Sequence, residues 1–288
     1  MRGKVAVITG ATSGIGRSTA EGLARMGTSL VLIGRNKERL ASIGEEIVDG
    51  TGDAPVLMRA DLSSLTEVRR LAAEIRDRVP RLDVLINNAG TIVGDRRLTA
   101  DGFEYTFALD HLSPFLLTNL LLSLLIASSP SRVVTVSSSA HRFGRIHFDD
   151  LMLEKGYTAF KAYSQAKLAN VLFTYELARR LRGTGVTANC LDPGPVRTRF
   201  GNETSGLLHI GLVAVRPFEL SPNRGARTSI YLASSPEVEG VTGRYFVRRR
   251  PHRSFPVTYD EGAAKRLWDV STKLTGLGEA GTAVDNHL

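Results

Sequence analysis

The 288-residue chain has a single cysteine, Cys190, which excludes an internal disulfide framework and any metal site built from several thiolates. Cys190 itself reads as a small buried residue at a strand end. A reducing compartment fits this, and the expected location is the cytoplasm. Aromatic residues are sparse, at 7%. Where basic residues are densest, at Arg248, Arg249, Arg250, His252 and Arg253, only Phe246 and Phe255 lie close. A groove for single-stranded nucleic acid needs interleaved aromatics on which bases stack. The net charge of +8 is therefore read as a solvated, arginine-rich surface loop, with no nucleic-acid partner expected. A basic surface can also steer a polyanionic ligand by its field alone. Long apolar runs are lacking too. The most apolar stretch, Phe115 to Ala127, is broken by Thr118, Asn119 and Ser123. A bilayer span needs roughly 20 apolar residues, so this stretch reads as a buried helix. The first motif begins at Lys4, leaving no room ahead of it for a signal peptide, and no membrane anchor is expected. His111, His141, His147 and His209 are scattered without metal-like spacing, so no metal is expected.

What is present is a regular alternation. Short β-branched runs at 5–9, 30–33, 56–60, 84–87, 133–137 and 186–191 read as strands buried on both faces. Amphipathic stretches separate them, among them helices over Gly14 to about Met26 and Lys37 to Val48. Strand, helix, strand alternation implies an α/β fold: a doubly wound parallel sheet with right-handed crossovers. No repeat or linker divides the chain, so one domain over 1–288 is expected, with 248–288 as a C-terminal extension. In such sheets ligands bind beyond the carboxyl ends of the strands, and the loops after Thr9, Ile33, Ala60, Asn87, Ser137 and Leu191 are the places to look.

The first of these loops carries Gly10, Thr12, Ser13, Gly14, Ile15 and Gly16. Glycines allow a tight turn and close backbone approach to a pyrophosphate, and the following helix presents free N–H groups. Three glycines alone are a weak signal; between a strand and a helix they are a strong one. About 20 residues on, an NAD site would place a carboxylate on the ribose 2′-hydroxyl. The chain has Gly34-Arg35-Asn36 there. An arginine without a carboxylate suits a 2′-phosphate, so NADP(H) is expected, with Arg17 adding to the field. Asp61 reads as a cap for a helix starting near Ser63 or Ser64.

Ser137-Ser138-Ser139 ends the fifth strand, and Tyr163-Ser164-Gln165-Ala166-Lys167 follows. Residues four apart share a helix face, so Tyr163 and Lys167 can enter one cleft. An ammonium beside a phenol favours the phenolate. Such a pair is common by chance. Together with the glycine turn, Asn87-Asn88-Ala89-Gly90 and Pro193-Gly194 in this order, it resembles the short-chain dehydrogenases/reductases, in their compact branch. The resemblance covers nearly the whole chain. It implies a seven-stranded Rossmann sheet, Tyr163 as proton donor and acceptor, and Ser138 orienting the substrate oxygen. Lys167 would bind the nicotinamide ribose and lower the pKa of Tyr163. Asp61 and Leu62 would meet the adenine, Asn88, Ala89 and Gly90 the adenosine ribose, and Pro193, Val196 and Thr198 the nicotinamide end. The stretches 146–151, 167–173 and 243–246 are similar to retinol-dehydrogenase-like members, which suggests a small lipophilic alcohol, aldehyde or ketone.

One position departs from the family. Asp110, in Leu109-Asp110-His111-Leu112, stands where an asparagine is usual. That residue acts through its carbonyl, which holds a water leading to the lysine, so the relay can survive. A carboxylate near Lys167 would partly cancel its effect on Tyr163. The segment 195–222, with Phe200, Leu207, Leu208, Ile210, Leu212, Val213, Val215 and Phe218, reads either as a substrate lid or as packing. Helices around Leu116 to Leu125 and Lys167 to Leu181 suit a homodimer or homotetramer interface, or equally the core. Two rivals stand beside the enzyme: a non-catalytic NADP(H)-binding scaffold, and a sugar-nucleotide epimerase or dehydratase, which would need another glycine spacing and a larger C-terminal domain.

Overall fold

A computed structural model describes residues 1–196 and 220–278. Thr198, His209 and most of the segment read as a lid lie outside the described residues, as does 279–288. Strand β1 (Val5–Thr9) leads into α1 (Gly14–Ala24), β2 (Ser29–Gly34) into α2 (Lys37–Thr51), β3 (Val56–Arg59) into α3 (Leu65–Arg78). After β4 (Val84–Asn87) come the short α4 (Tyr105–Phe107), α5 (Ser113–Leu120) and α6 (Leu122–Ala127). Then follow β5 (Ser131–Val136), the long α7 (Ala159–Arg180) and β6 (Val186–Asp192). The chain closes with α8 (Pro222–Ser234), β7 (Arg244–Val247), β8 (Arg250–His252) and α9 (Glu261–Thr275).

The strand order is β3-β2-β1-β4-β5-β6-β7-β8, parallel from β3 through β7. The eighth strand corrects the expectation of seven. Beyond Val247 the chain turns at Arg248 and Arg249, both at positive φ, and β8 pairs antiparallel with β7. Half of the arginine-rich segment read as a loop is thus a hairpin, although it stays exposed. The order reverses direction between β1 and β4, and the loops leaving those two strands flank the crevice where such sheets bind ligands.

Each face of the sheet has its own core. Val7, Leu85, Phe115, Leu172, Phe173 and Trp268 pack on one side beneath α3, α5, α7 and α9. Ile8, Leu23, Leu32, Ile43, Ile86 and Leu232 pack on the other beneath α1, α2 and α8. Helix α7 is buried almost all round from Ser164 to Ala178, so the segment weighed as an interface packs within the chain itself. The apolar stretch 115–127 is interrupted at Leu121, and no helix among the described residues is long and apolar enough to cross a membrane.

Helix starts follow local chemistry. Asn36 accepts from the Arg39 N–H at 2.8 Å to cap α2, and Asp260 accepts from Ala263 at 2.9 Å to cap α9. Asp61 lies three residues before the cap: its carboxylate accepts from the Ser63 N–H and hydroxyl, and Ser64 caps α3 instead. Far from the crevice, buried Asp83 ties the start of β1 to β4. It takes hydrogen bonds from Lys4, Arg81 and the Val5 N–H. Burial alone would raise this carboxyl, but those donors together hold it below its ordinary value.

Candidate active site

The glycine turn is clamped from the neighbouring strand. Asn88 sits just after β4, and its Nδ2 donates to the carbonyl of Thr9 at 2.8 Å and to that of Gly10 at 3.3 Å. In return the Thr9 hydroxyl oxygen accepts from the N–H groups of Asn88 and Ala89 at 2.9 and 3.0 Å. Gly10 has φ +65° and Gly14 φ +54°, the left-handed region that glycine adopts freely. The side chain of Asn88 is therefore spent on holding the turn, a role sequence reading did not assign. Its signal lies in strand order, because β1 and β4 are sheet neighbours although 79 residues separate Thr9 and Asn88.

Across the turn, Ser13 is the N-cap position of α1 but makes no side-chain cap bond. The first N–H groups of a helix have no intrahelical partners, so this end can receive a phosphate. Arg35 is exposed beyond β2, and its guanidinium donates to the Tyr105 hydroxyl at 3.2 Å. Arg59, at the end of β3, donates from Nε to the Arg35 carbonyl at 3.2 Å and so lies beside it. Neither forms an ion pair with a carboxylate among the described residues. Arg59 was missed because β3 adjoins β2 only once the sheet is assembled. Arg17, expected to add to this field, is instead paired with Glu21 at 2.9 Å and with Glu46. Its position four residues before Glu21 on one helix brings the first pair together.

At the carboxyl end of β5 the three serines separate by role. The Ser137 hydroxyl is buried and donates to the Lys167 carbonyl at 2.8 Å. Ser139 is exposed. Ser138 is half-buried, accepts from the Ala140 N–H at 3.2 Å, and its hydroxyl favours ionisation of the nearby Tyr163 phenol. Tyr163 and Lys167 lie one turn apart on α7, with the Lys167 Nζ 5.3 Å from the phenol ring centre. Pro193 and Gly194 follow β6, where the Gly194 N–H donates to Asp192 at 2.9 Å, and Val196 forms a bridge with Leu220. Asp61 is exposed and Leu62 buried at the far end of the crevice.

Asp110 points inward. It sits in a π-helical turn, Ala108–Leu112, between α4 and α5. One oxygen accepts from the Thr91 N–H at 2.8 Å, and the other forms a 2.8 Å ion pair with Lys167. Both side chains are buried, at 0% and 4% exposure, so water screens the pair little. A Cβ on Gly90 would lie 2.9 Å from the Asp110 oxygen and 3.0 Å from Nζ, so that glycine keeps the pair roofed without crowding it. The Asp110 carbonyl, which the family analogy would leave for a water, accepts from Asn170 Nδ2 at 2.9 Å. Asn170 lies one turn beyond Lys167. The π turn could not be read from sequence, because its extra residue leaves no mark in the apolar pattern.

Next to it, His111 is fully buried among Phe107, Phe115 and Phe173. Its Nδ1 faces the Asn170 amide oxygen at 3.3 Å and its Nε2 the Ser271 hydroxyl at 3.0 Å. Burial lowers its pKa to about 4, against an ordinary 6.5, so it folds as neutral imidazole. Its contribution to stability is complete above pH 6.5 and is lost as the pH falls towards 4. That difference corresponds to about 3 kcal/mol. Urea unfolding at pH 7 and pH 5 should show a loss that is smaller in His111→Gln; equal losses in both proteins would refute this assignment.

The short chain dehydrogenase family pattern matches residues 4–206. Retinol dehydrogenase 14 of Mus musculus is 46% identical over 96% of this chain and 87% of its own length. Among solved structures, an uncharacterized protein from Mycobacterium paratuberculosis superposes with a TM-score of 0.76 at 35% identity, covering 96% of this chain and 94% of the other. The Pseudomonas aeruginosa RhlG/NADP active-site complex superposes with a TM-score of 0.69 at 28% identity, over 85% of this chain and 94% of that one.

Proposed function

The chain belongs to the short-chain dehydrogenase family and is an oxidoreductase of alcohol and carbonyl groups; from that premise we propose that it is NADP(H)-dependent, with Tyr163 as acid/base. The observation that carries this reading is the convergence of Ser138, Tyr163 and Lys167 beside the clamped glycine turn. The turn fits a pyrophosphate: its glycines carry no side chains and let it fold tightly against Asn88 and Ala89, and α1 begins there with unpaired N–H groups. Arg35 and Arg59 would hold a 2′-phosphate, since two guanidinium groups that form no ion pair among the described residues supply charge-assisted donors there. Pro193 and Val196 would border the nicotinamide end.

A bound nicotinamide nucleotide supplies or takes the hydride at the carbonyl carbon. In the reductive direction Tyr163 gives its phenolic proton to the carbonyl oxygen as that oxygen gains charge. Ser138 donates a hydrogen bond to the same oxygen and fixes its distance from the phenol. Lys167 would hold the cofactor ribose, and its ammonium lies near the phenol. In the oxidative direction the proton returns from the alcohol to Tyr163. The retinol dehydrogenase relative favours a lipophilic substrate. So do exposed Phe143 and Phe160, in contact at 5.7 Å beside the segments carrying Ser138 and Tyr163.

Arg35→Ala should weaken NADPH binding about 10- to 100-fold, the loss of one or two charge-assisted hydrogen bonds, and leave NADH binding nearly unchanged. Fluorescence titration of both nucleotides measures this. A wild type that prefers NADH, unaltered by the substitution, would contradict the cofactor assignment. Tight NADPH binding without turnover on a broad panel of alcohols and carbonyls would favour the scaffold reading, whose one support is the carboxylate at Asp110.

A further inference from the structure

Lys167 does not face Tyr163 as an unpaired cation. Asp110 Oδ2 lies 2.8 Å from its ammonium, whereas the phenol ring centre is 5.3 Å away. Both members of the ion pair are buried, so at the phenol the carboxylate offsets much of the ammonium's field. Among the described residues, charged and polar neighbours from several elements bear on the phenol. Asp110 approaches from the π-helical turn and Asp192 from the end of β6, and both disfavour a phenolate. Lys167 on α7 and the hydroxyl of Ser138 favour one. Glu104 stands before α4, where it caps that helix and adds further negative field at Asp110. His111 turns away towards Asn170 and Ser271, and His141 is held by the Ser138 carbonyl at 2.7 Å.

We propose that Asp110 is a positioning residue that claims the Lys167 ammonium, so that Tyr163 stays a proton-bearing phenol at neutral pH and the site is set for carbonyl reduction. This rests on the acid/base assignment of Tyr163. The geometry is specific to a carboxylate. An asparagine would keep the bond from the Thr91 N–H through one oxygen but would place a neutral amide against Nζ. The burial of Lys167 would by itself lower its pKa; Asp110, with Tyr163 adding to it, more than reverses that and keeps the lysine charged beside its partner. For Tyr163, burial raises the pKa, Lys167 opposes this, and Asp110 adds to the rise. Alcohol oxidation needs the phenolate as base, so its rate should climb only at alkaline pH; reduction needs the phenol and should hold through neutrality.

The test is Asp110→Asn, with Asp110→Ala as a second replacement. Tyrosinate absorbance is followed with pH in the protein free of substrate and nucleotide. Each protein is subtracted from its counterpart that also carries Tyr163→Phe, which isolates this phenol among the seven tyrosines. Removing the carboxylate should bring the Tyr163 transition down by about one unit or more. The pH profile of alcohol oxidation should move by the same amount, raising the rate at neutral pH about 10-fold. A transition that is unchanged or higher in both variants would overturn the proposal. The absorbance titration needs no turnover. If instead Tyr163→Phe left turnover intact, the acid/base assignment itself would fall, and the two failures are distinct.

Discussion

Tyr163→Phe should lower kcat by about 10²- to 10⁴-fold, the usual contribution of a positioned general acid or base. The substitution removes one hydroxyl and keeps the ring, so its packing on α7 beside Lys167 survives. Nucleotide binding should therefore stay close to wild type, and the loss should appear in turnover and not in affinity. Steady-state kinetics on any accepted alcohol or carbonyl, beside a nucleotide titration, separates the two. A variant that keeps kcat within a few-fold of wild type would remove Tyr163 from the chemistry.

The second large effect is expected at Gly16. A Cβ there would run into the carbonyl oxygen of Gly10 and the Asn88 amide, closer than real Cβ contacts allow. Neither neighbour can yield cheaply. Gly10 is backbone, and Asn88 is held by the carbonyls of Thr9 and Gly10. Gly16 lies within α1, so alanine would suit the helix and the penalty is one of space alone. The turn would have to open by a few tenths of an ångström or more, displacing the N–H groups offered to the pyrophosphate. Nucleotide affinity should fall about 100-fold, the scale of a misplaced binding group. Overpacking should cost about 1–3 kcal/mol of stability as well. Calorimetric titration of NADPH and urea unfolding of Gly16→Ala measure the two losses, and near-normal affinity would show that the clamp is softer than its contacts imply.

Much of the architecture was legible because it is written in local patterns. The strand runs at 5–9 and 84–87 have the observed bounds, since buried parallel strands are short, β-branched and apolar throughout. Tyr163 and Lys167 could be placed together because helical spacing is fixed. What sequence reading lost depended on contacts between distant segments. Arg59 reaches Arg35 through strand pairing, and Asn88 reaches the glycine turn in the same way. Asp110 was singled out, yet its direction was left open, because an inward or outward carboxylate depends on one extra residue in the turn that carries it. Arg17 misled for a related reason: its charge was visible, but Glu46, on another helix, was not seen beside it.

The hairpin at the end of the sheet has a consequence for how copies of this protein meet. An open strand edge is a template on which another chain can pair and aggregate. Here the edge is β8, three residues long, whose central Pro251 has no N–H to offer. Arg250 and His252 flank it, and Arg248, Arg249 and Arg253 surround it with like charge. A second molecule approaching this edge would meet a missing donor and a repelling field. The arginine cluster that first suggested a nucleic-acid surface thus shields the sheet from itself.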